Sequence, residues 1–260
     1  MKKVYSFRQS DLSSGEHCLE KLRRKYQTPT PQVCTSDQVR GNVSHAAFEA
    51  AGKMMLGGHA PTLDDVYGAA QWSQKFWFPQ VDEWRQPQER CEASIQANVE
   101  GWFWDVLPRL NPTGVEVFFD HVLYETDTVQ VRLKGTRDWD DAELGLVDWK
   151  CPGRKPTEWE LKRWDIQSTV YTWALAQETG EWGAQDFHRV AIVEGETHWL
   201  TLRRGPQDWA ALEDKVRGLV ELLEADLSVW PVSWSGWWCS PKWCEFWDDC
   251  RGKHLGANPW

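Results

Sequence analysis

Gly135-Thr136-Arg137-Asp138-Trp139-Asp140-Asp141-Ala142-Glu143-Leu144-Gly145-Leu146-Val147-Asp148-Trp149-Lys150 reads as a β-hairpin that carries charge into an apolar setting. Just upstream, Val129, Val131 and Leu133 alternate with polar residues, the period of a half-buried strand. Leu144, Leu146 and Val147 lead into Asp148 as a second strand, and Asp140, Asp141 and Gly145 mark a turn between the two. Antiparallel strands so joined bring Asp138 and Asp148 toward each other. Asp148 and Lys150 are two apart, so both side chains leave one face of the strand. A carboxylate that ends an apolar run needs a partner or a metal. Two carboxylates and one ammonium suit a hard divalent cation, with a positive group beside an attacking water or a scissile phosphate. Asp140, Asp141 and Glu143 read as solvated turn residues.

Working outward, Cys18, Leu19 and Leu22 fall at helical spacing before Lys21-Leu22-Arg23-Arg24-Lys25-Tyr26. Ser36 or Asp37 can cap a helix whose core face is Val39, Val43, Ala46, Ala47, Phe48, Ala50 and Ala51, with His45 in its middle. Residues 62–110 read as at least two helices, with Cys91 a buried thiol. Gly114 to Tyr124 is a strand with Glu116 near its start. Trp159 to Gln177 is a helix on which Gln167 and Tyr171 share a face. Arg163, four residues before Gln167, is on the same side and in reach of a phosphate. Phe187–Val193 and Thr197–Arg203 are two further strands, and Trp209–Leu227 is a long amphipathic helix.

Gly135-x-x-Asp138, Asp148-x-Lys150 after nine intervening residues, and Gln167-x-x-x-Tyr171 resemble, in that order, the RecB-like branch of the PD-(D/E)XK nuclease superfamily. His45, in Gly41-x-x-x-His45, matches that branch's upstream histidine. Cys18 with Cys239, Cys244 and Cys250 resembles the iron–sulfur staple of some members. The resemblance runs from about Cys18 to Cys250. It implies an α/β fold: a restriction-endonuclease-like core with a central mixed sheet flanked by helices, forming a single nuclease domain over residues 1–260. It further implies a helical insertion at about 60–110 and cluster-binding elements at about 15–26 and 236–252. His45, Asp138, Asp148 and the carbonyl of Trp149 would hold Mg²⁺ or Mn²⁺, and an imidazole ligand suits manganese. Lys150 would position the attacking water and neutralise the reacting phosphate, Gln167 and Tyr171 would hold the substrate, and Glu116 would stand at the edge of the site. Cys151 departs from the small hydroxyl residue more usual after the lysine.

The three C-terminal cysteines are separated by four and five residues, and with Cys18 they make four ligands, enough for a cubane cluster or structural zinc. The resemblance favours [4Fe–4S]. Seven cysteines, an odd number, argue against a secreted disulfide framework. No apolar run is long enough for a bilayer and no basic-then-apolar leader opens the chain, so a cytoplasmic protein of a bacterial or phage-infected cell is expected. The net charge of −10 is unlike that of most nucleic-acid binders. Local basic strips can still bind a DNA backbone: Lys21 to Lys25, Arg154-Lys155, Lys162-Arg163 and Arg203-Arg204. Some of the 20 tryptophans could stack on unpaired bases.

The expected function is therefore a metal-dependent DNA exonuclease acting on ends or single strands. Its partners would be DNA and a recombination, helicase or CRISPR-adaptation protein, since no Gly-x-x-x-x-Gly-Lys-Ser/Thr loop supplies a motor. The alternatives are a catalytically weak DNA-binding or assembly subunit, and a zinc-stapled domain with no DNA role.

Overall fold

The structure is a computed structural model that describes residues 2–27, 33–157, 165–225, 227–233, 236 and 238–255. In chain order its elements are β1 (Lys3–Phe7), α1 (Gln9–His17), α2 (Leu19–Gln27), α3 (Ser36–Leu56), α4 (Leu63–Trp77), α5 (Gln88–Gly101), β2 (Pro112–Glu125), β3 (Val129–Asp141), β4 (Gly145–Lys150), α6 (Asp165–Thr179), β5 (Gln185–Val193), β6 (Glu196–Arg204), α7 (Pro206–Glu224) and α8 (Gly252–Leu255). They fall into two compact units. One comprises Met1–Gln32, Val122–Lys134 and Ala210–Trp260, the other Val33–His121 and Gly135–Trp209.

The second unit is built on the hairpin read from the sequence. β3 and β4 are antiparallel, with Trp139 opposite Val147. β4 then runs parallel to β5, and β5 antiparallel to β6, so the sheet is mixed. β5 and β6 are joined through Glu194 and Gly195, both at positive φ (49° and 87°), the backbone of a tight hairpin turn. β2 pairs with β3. The strand β3 is longer than its pattern suggests, because Asp140 and Asp141 belong to it rather than to the turn. The solvated reading of these two residues is corrected. Asp140 accepts two hydrogen bonds from Arg137, whose guanidinium is buried and also bonds Glu178. Asp141 is buried and accepts from the backbone N–H groups of Asn111, Glu143 and Leu144, which fixes the turn.

α3 is capped by Thr35, not by Ser36 or Asp37: Thr35 and Gln38 exchange side-chain-to-backbone bonds in a capping box. Its apolar face, Val39, Val43, Ala47, Phe48 and Ala51, packs with α4 and α5 into one core. Trp139 and Trp149 alternate with Asp138 and Asp148 along their strands and enter that core beside Phe48 and Trp102. Ring centroids there are 4.5–6.3 Å apart, and the pairs are mostly edge-to-face. The helix read at Trp159–Gln177 is seen as α6 from Asp165; residues 158–164 lie outside the described residues.

Gly101 and Gly195 meet backbone to backbone. A Cβ on Gly101 would lie 2.1 Å from the Gly195 carbonyl oxygen. Gly101→Ala is expected to cost about 1–3 kcal/mol through forced backbone shifts. Gly68→Ala, whose Cβ would meet nothing within 4 Å, is expected to gain about 0.5–1 kcal/mol. Urea denaturation of both variants checks this, and similar midpoints would contradict the close approach.

In the other unit β1 runs parallel to the first half of β3, with Lys3 opposite Val129 and Phe7 opposite Leu133. Lys3 and Tyr5 both reach Glu224 of α7, and Arg217 lies over the Tyr124 ring at 3.8 Å. Among the described residues no helix is long and apolar enough to cross a membrane.

Candidate metal centre

Six elements of the second unit converge on one place: α3 with His45, β2 with Glu116, β3 with Asp138, β4 with Asp148 and Lys150, α6 with Gln167 and Tyr171, and β5 with Arg189. Among the described residues, His45, Glu116 and Asp138 form a group of three possible ligands whose donor atoms all lie within 4.8 Å of one another. His45 Nδ1 is 3.6 Å from Asp138 Oδ2. The backbone N–H of Trp149 donates to that same oxygen at 3.3 Å, and His45 is hydrogen-bonded to the Trp149 backbone. Asp148 stands beside the trio, and its negative charge acts on all three members.

Asp148 is almost fully buried and densely held. Lys150 Nζ lies 2.9 Å from Oδ1 and 2.8 Å from Oδ2, and Gln167 Nε2 donates to Oδ1 at 2.7 Å. Gln167 is itself buried, so its amide is placed on the carboxylate. Tyr171 is buried too, edge-on to Phe119 with centroids 5.8 Å apart. Burial, then the charges of Asp148 and Asp138, push its phenol far above the ordinary value. The glycine of the Gly135-x-x-Asp138 motif has a packing reason. A Cβ there would lie 2.8 Å from Phe119 Cζ and 3.5 Å from Tyr171 Cε1.

The electrostatics ask for a cation. Burial and then the Asp148 charge push the Asp138 carboxyl well above the carboxylate range. Glu116 is pushed up to about 7 by burial and then by Glu49, one turn beyond His45 on α3. His45 is pushed down to about 4, by burial and then by Lys150, which leaves its imidazole neutral and able to ligate. Glu116 also holds a backbone φ of 51°. A non-glycine residue there costs on the order of 1–3 kcal/mol and is a feature of functional sites. Oxygen and imidazole donors in this arrangement fit a hard or borderline divalent ion.

Sequence reasoning missed Glu49 and Arg189. Arg189 left a signal: it is a charged residue inside the apolar strand run Phe187 to Val193. Arg163 and Lys162 lie outside the described residues. Most of the other basic strips carry ion pairs. Lys21 bonds Glu245 at 2.7 Å, Arg23 and Arg24 bond Glu20 at 2.7 and 2.6 Å, and Arg203 lies 3.3 Å from Asp186. Arg154 and Lys155 are exposed.

In the other unit, Cys18, Cys239, Cys244 and Cys250 line a single small cavity together with Lys21, Arg24, Phe246 and Trp247. The thiols sense one another: Cys239 acts on Cys244, and both Cys18 and Cys239 act on Cys250. Burial is the main cause that pushes Cys244 and Cys250 upward. Arg251 donates to Cys239 Sγ at 3.7 Å. The indole N–H of Trp247 is buried and has no hydrogen-bond partner among the described residues. No three of these sulfurs lie within 4.8 Å of one another. Cys91 is a buried thiol that donates to the Ser36 carbonyl, as its position in the sequence suggests.

A family model described as the PD-(D/E)XK nuclease superfamily matches residues 9–251. A comparison with curated protein sequences returned no match. Among solved structures, the "Putative exonuclease" of Eubacterium rectale overlays with a TM-score of 0.59 at 12% identity, over 97% of this chain and 90% of that one, a likeness of fold. The protein SSO0001 overlays with a TM-score of 0.42 at 15% identity, over 93% of this chain and 95% of that one.

Proposed function

The chain belongs to the PD-(D/E)XK nuclease superfamily, and on that basis we propose that it is a divalent-metal-dependent deoxyribonuclease of the RecB-like branch, acting at DNA ends or on single strands. The observation that carries the reading is the trio His45, Glu116 and Asp138 beside the Asp148–Lys150 pair. His45, Glu116, Asp138 and Asp148 would hold Mg²⁺ or Mn²⁺, with the Trp149 carbonyl as a further ligand. Such an ion supplies Lewis-acid polarisation of the phosphate and a more acidic water at neutral pH. Lys150 carries its ammonium at the partly exposed edge of this group, where it can hold the water and offset charge on the reacting phosphate. Water adds to phosphorus as the bond to the leaving sugar oxygen breaks, and the leaving oxygen takes up a proton. Gln167 orients Asp148, and Tyr171 braces that helix face through Phe119.

We propose also that the four cavity thiols hold a [4Fe–4S] cluster. The support is that all four thiols line one cavity. The unpartnered Trp247 N–H supports a sulfur acceptor in the cavity. Anaerobically purified protein should be brown, and Cys239→Ser should be paler and melt lower. A colourless wild type with stoichiometric zinc would replace the cluster by a structural zinc site. Movement along DNA would fall to a helicase, recombination or CRISPR-adaptation partner.

The test of the activity is a time course with 5′- and 3′-labelled single- and double-stranded DNA in Mn²⁺, Mg²⁺ or chelator. Metal-dependent shortening of the labelled strands is expected. Intact DNA in both ions, with binding retained, would return the chain to a DNA-binding subunit.

A further inference from the structure

One cation beside Asp148 has no part in the chemistry just described. Arg189 stands opposite Asp148 in the parallel β4–β5 ladder. Its side chain is wholly buried, with Nε 3.7 Å from Asp148 Oδ2. Its Nη2 donates to Gln167 Oε1 at 3.4 Å, and Gln167 donates in turn to Asp148 Oδ1 at 2.7 Å. The guanidinium also lies over the Phe187 ring at 5.2 Å. A guanidinium keeps its proton in any protein setting, and here it is packed on all sides. Lys150 serves the same carboxylate differently. Its side chain is 26% exposed, against 0% for Arg189, and ends on a flexible stem. Among the described residues, this buried carboxylate therefore pairs with two cations, one fixed and one able to move.

We propose that Arg189 is a positioning residue, the permanent counter-cation that holds Asp148 in place when Lys150 turns from it to the substrate phosphate. The inference rests on the nuclease reading above. Without Arg189, Lys150 would be the remaining cation paired with Asp148 among the described residues, and leaving it would strand a buried carboxylate. The ammonium would then be held away from the reaction. A group that only braced the fold would not couple to Lys150 in this way.

The experiment compares wild type, Arg189→Gln and Arg189→Lys by single-turnover cleavage in Mn²⁺, by KM for DNA, and by Mn²⁺ titration without DNA. For Arg189→Gln, kcat should fall on the order of 100-fold, the scale of a misplaced reacting group. KM should change little, and Mn²⁺ should bind at least as tightly, because a positive charge has left the site. Arg189→Lys restores the charge and should recover most of the loss. Unchanged kcat in a folded Arg189→Gln, or a loss of Mn²⁺ binding that matches the loss of rate, would overturn the proposal. Should Arg189→Gln not fold, a wild-type crystal with Mn²⁺ and a phosphorothioate DNA carries the test. Lys150 Nζ is then expected near the phosphate, with Arg189 still on Asp148. Lys150 remaining on Asp148, or Arg189 released from it, would overturn the proposal. Wild type that neither binds Mn²⁺ nor cleaves DNA would instead defeat the nuclease reading itself.

Discussion

Lys150→Ala is expected to slow DNA cleavage by on the order of 10²–10³-fold, the usual cost of losing a group that stabilises developing charge. Binding of Mn²⁺ and of DNA should largely survive. Lys150 lies within 2.9 Å of both oxygens of Asp148 but belongs to no set of metal donors, since an ammonium has no lone pair. Its loss makes the site more negative and does not remove a ligand. Asp148 keeps Gln167 and Arg189, so the carboxylate stays in place. Single-turnover rates, with Mn²⁺ titration and DNA retention measured alongside, separate these effects. Unchanged cleavage would remove Lys150 from the chemistry, and a parallel loss of Mn²⁺ binding would make it a structural residue.

Asp138→Asn is expected to abolish both Mn²⁺ binding and cleavage while raising the melting temperature of the metal-free protein. Burial, and then the charges of Asp148 and Glu116 crowded into the same space, push the Asp138 carboxyl up. An amide of the same shape relieves that repulsion, and the gain should be roughly 1–2 kcal/mol, the scale at which active sites trade stability for function. The sign with pH follows from Glu116 as well. Its carboxyl is pushed from 4.5 to about 7, so the folded state holds more protons than the unfolded chain between those values. Glu116 therefore adds stability as pH falls from about 7 toward 4.5. His45, pushed down to about 4, takes stability away as pH falls below its ordinary 6.5. The Asp138 carboxyl, also pushed up, tips the sum toward greater stability at lower pH. Asp138→Asn should flatten that slope, and Mn²⁺ should stabilise only wild type. Melts across this pH range with and without Mn²⁺ check it, and a less stable metal-free Asp138→Asn would contradict the repulsion.

Period and position made the hairpin readable. An alternating strand, an apolar run ending in a carboxylate and a lysine two residues on placed Asp138, Asp148 and Lys150 together before any coordinates. Asp140 and Asp141 read as solvated because a turn rich in charge carries no sign of burial in its pattern. Arg137, three residues before and itself buried, holds Asp140, and the backbone N–H groups of Asn111 and of the turn residues Glu143 and Leu144 hold Asp141. Glu116 was legible only as an edge residue, and the positive φ it adopts near the start of β2 is announced by no residue pattern. Arg189 was hidden for a related reason. A charge in an apolar strand has meaning only once the parallel register sets it against Asp148. Gln167 and Tyr171 were found as a pair, but the structure places the amide on a carboxylate and the phenol in a packed layer, both buried.

One ion among these side chains would carry the hydrolysis, and an anomalous difference map from a crystal soaked in Mn²⁺ tests this most directly. A peak is expected roughly 2.0–2.3 Å from His45 and from the Glu116 and Asp138 carboxylates, the range of such metal–ligand bonds. Manganese bound elsewhere, with this group bare at saturating concentration, would contradict the metal centre and the hydrolysis built on it.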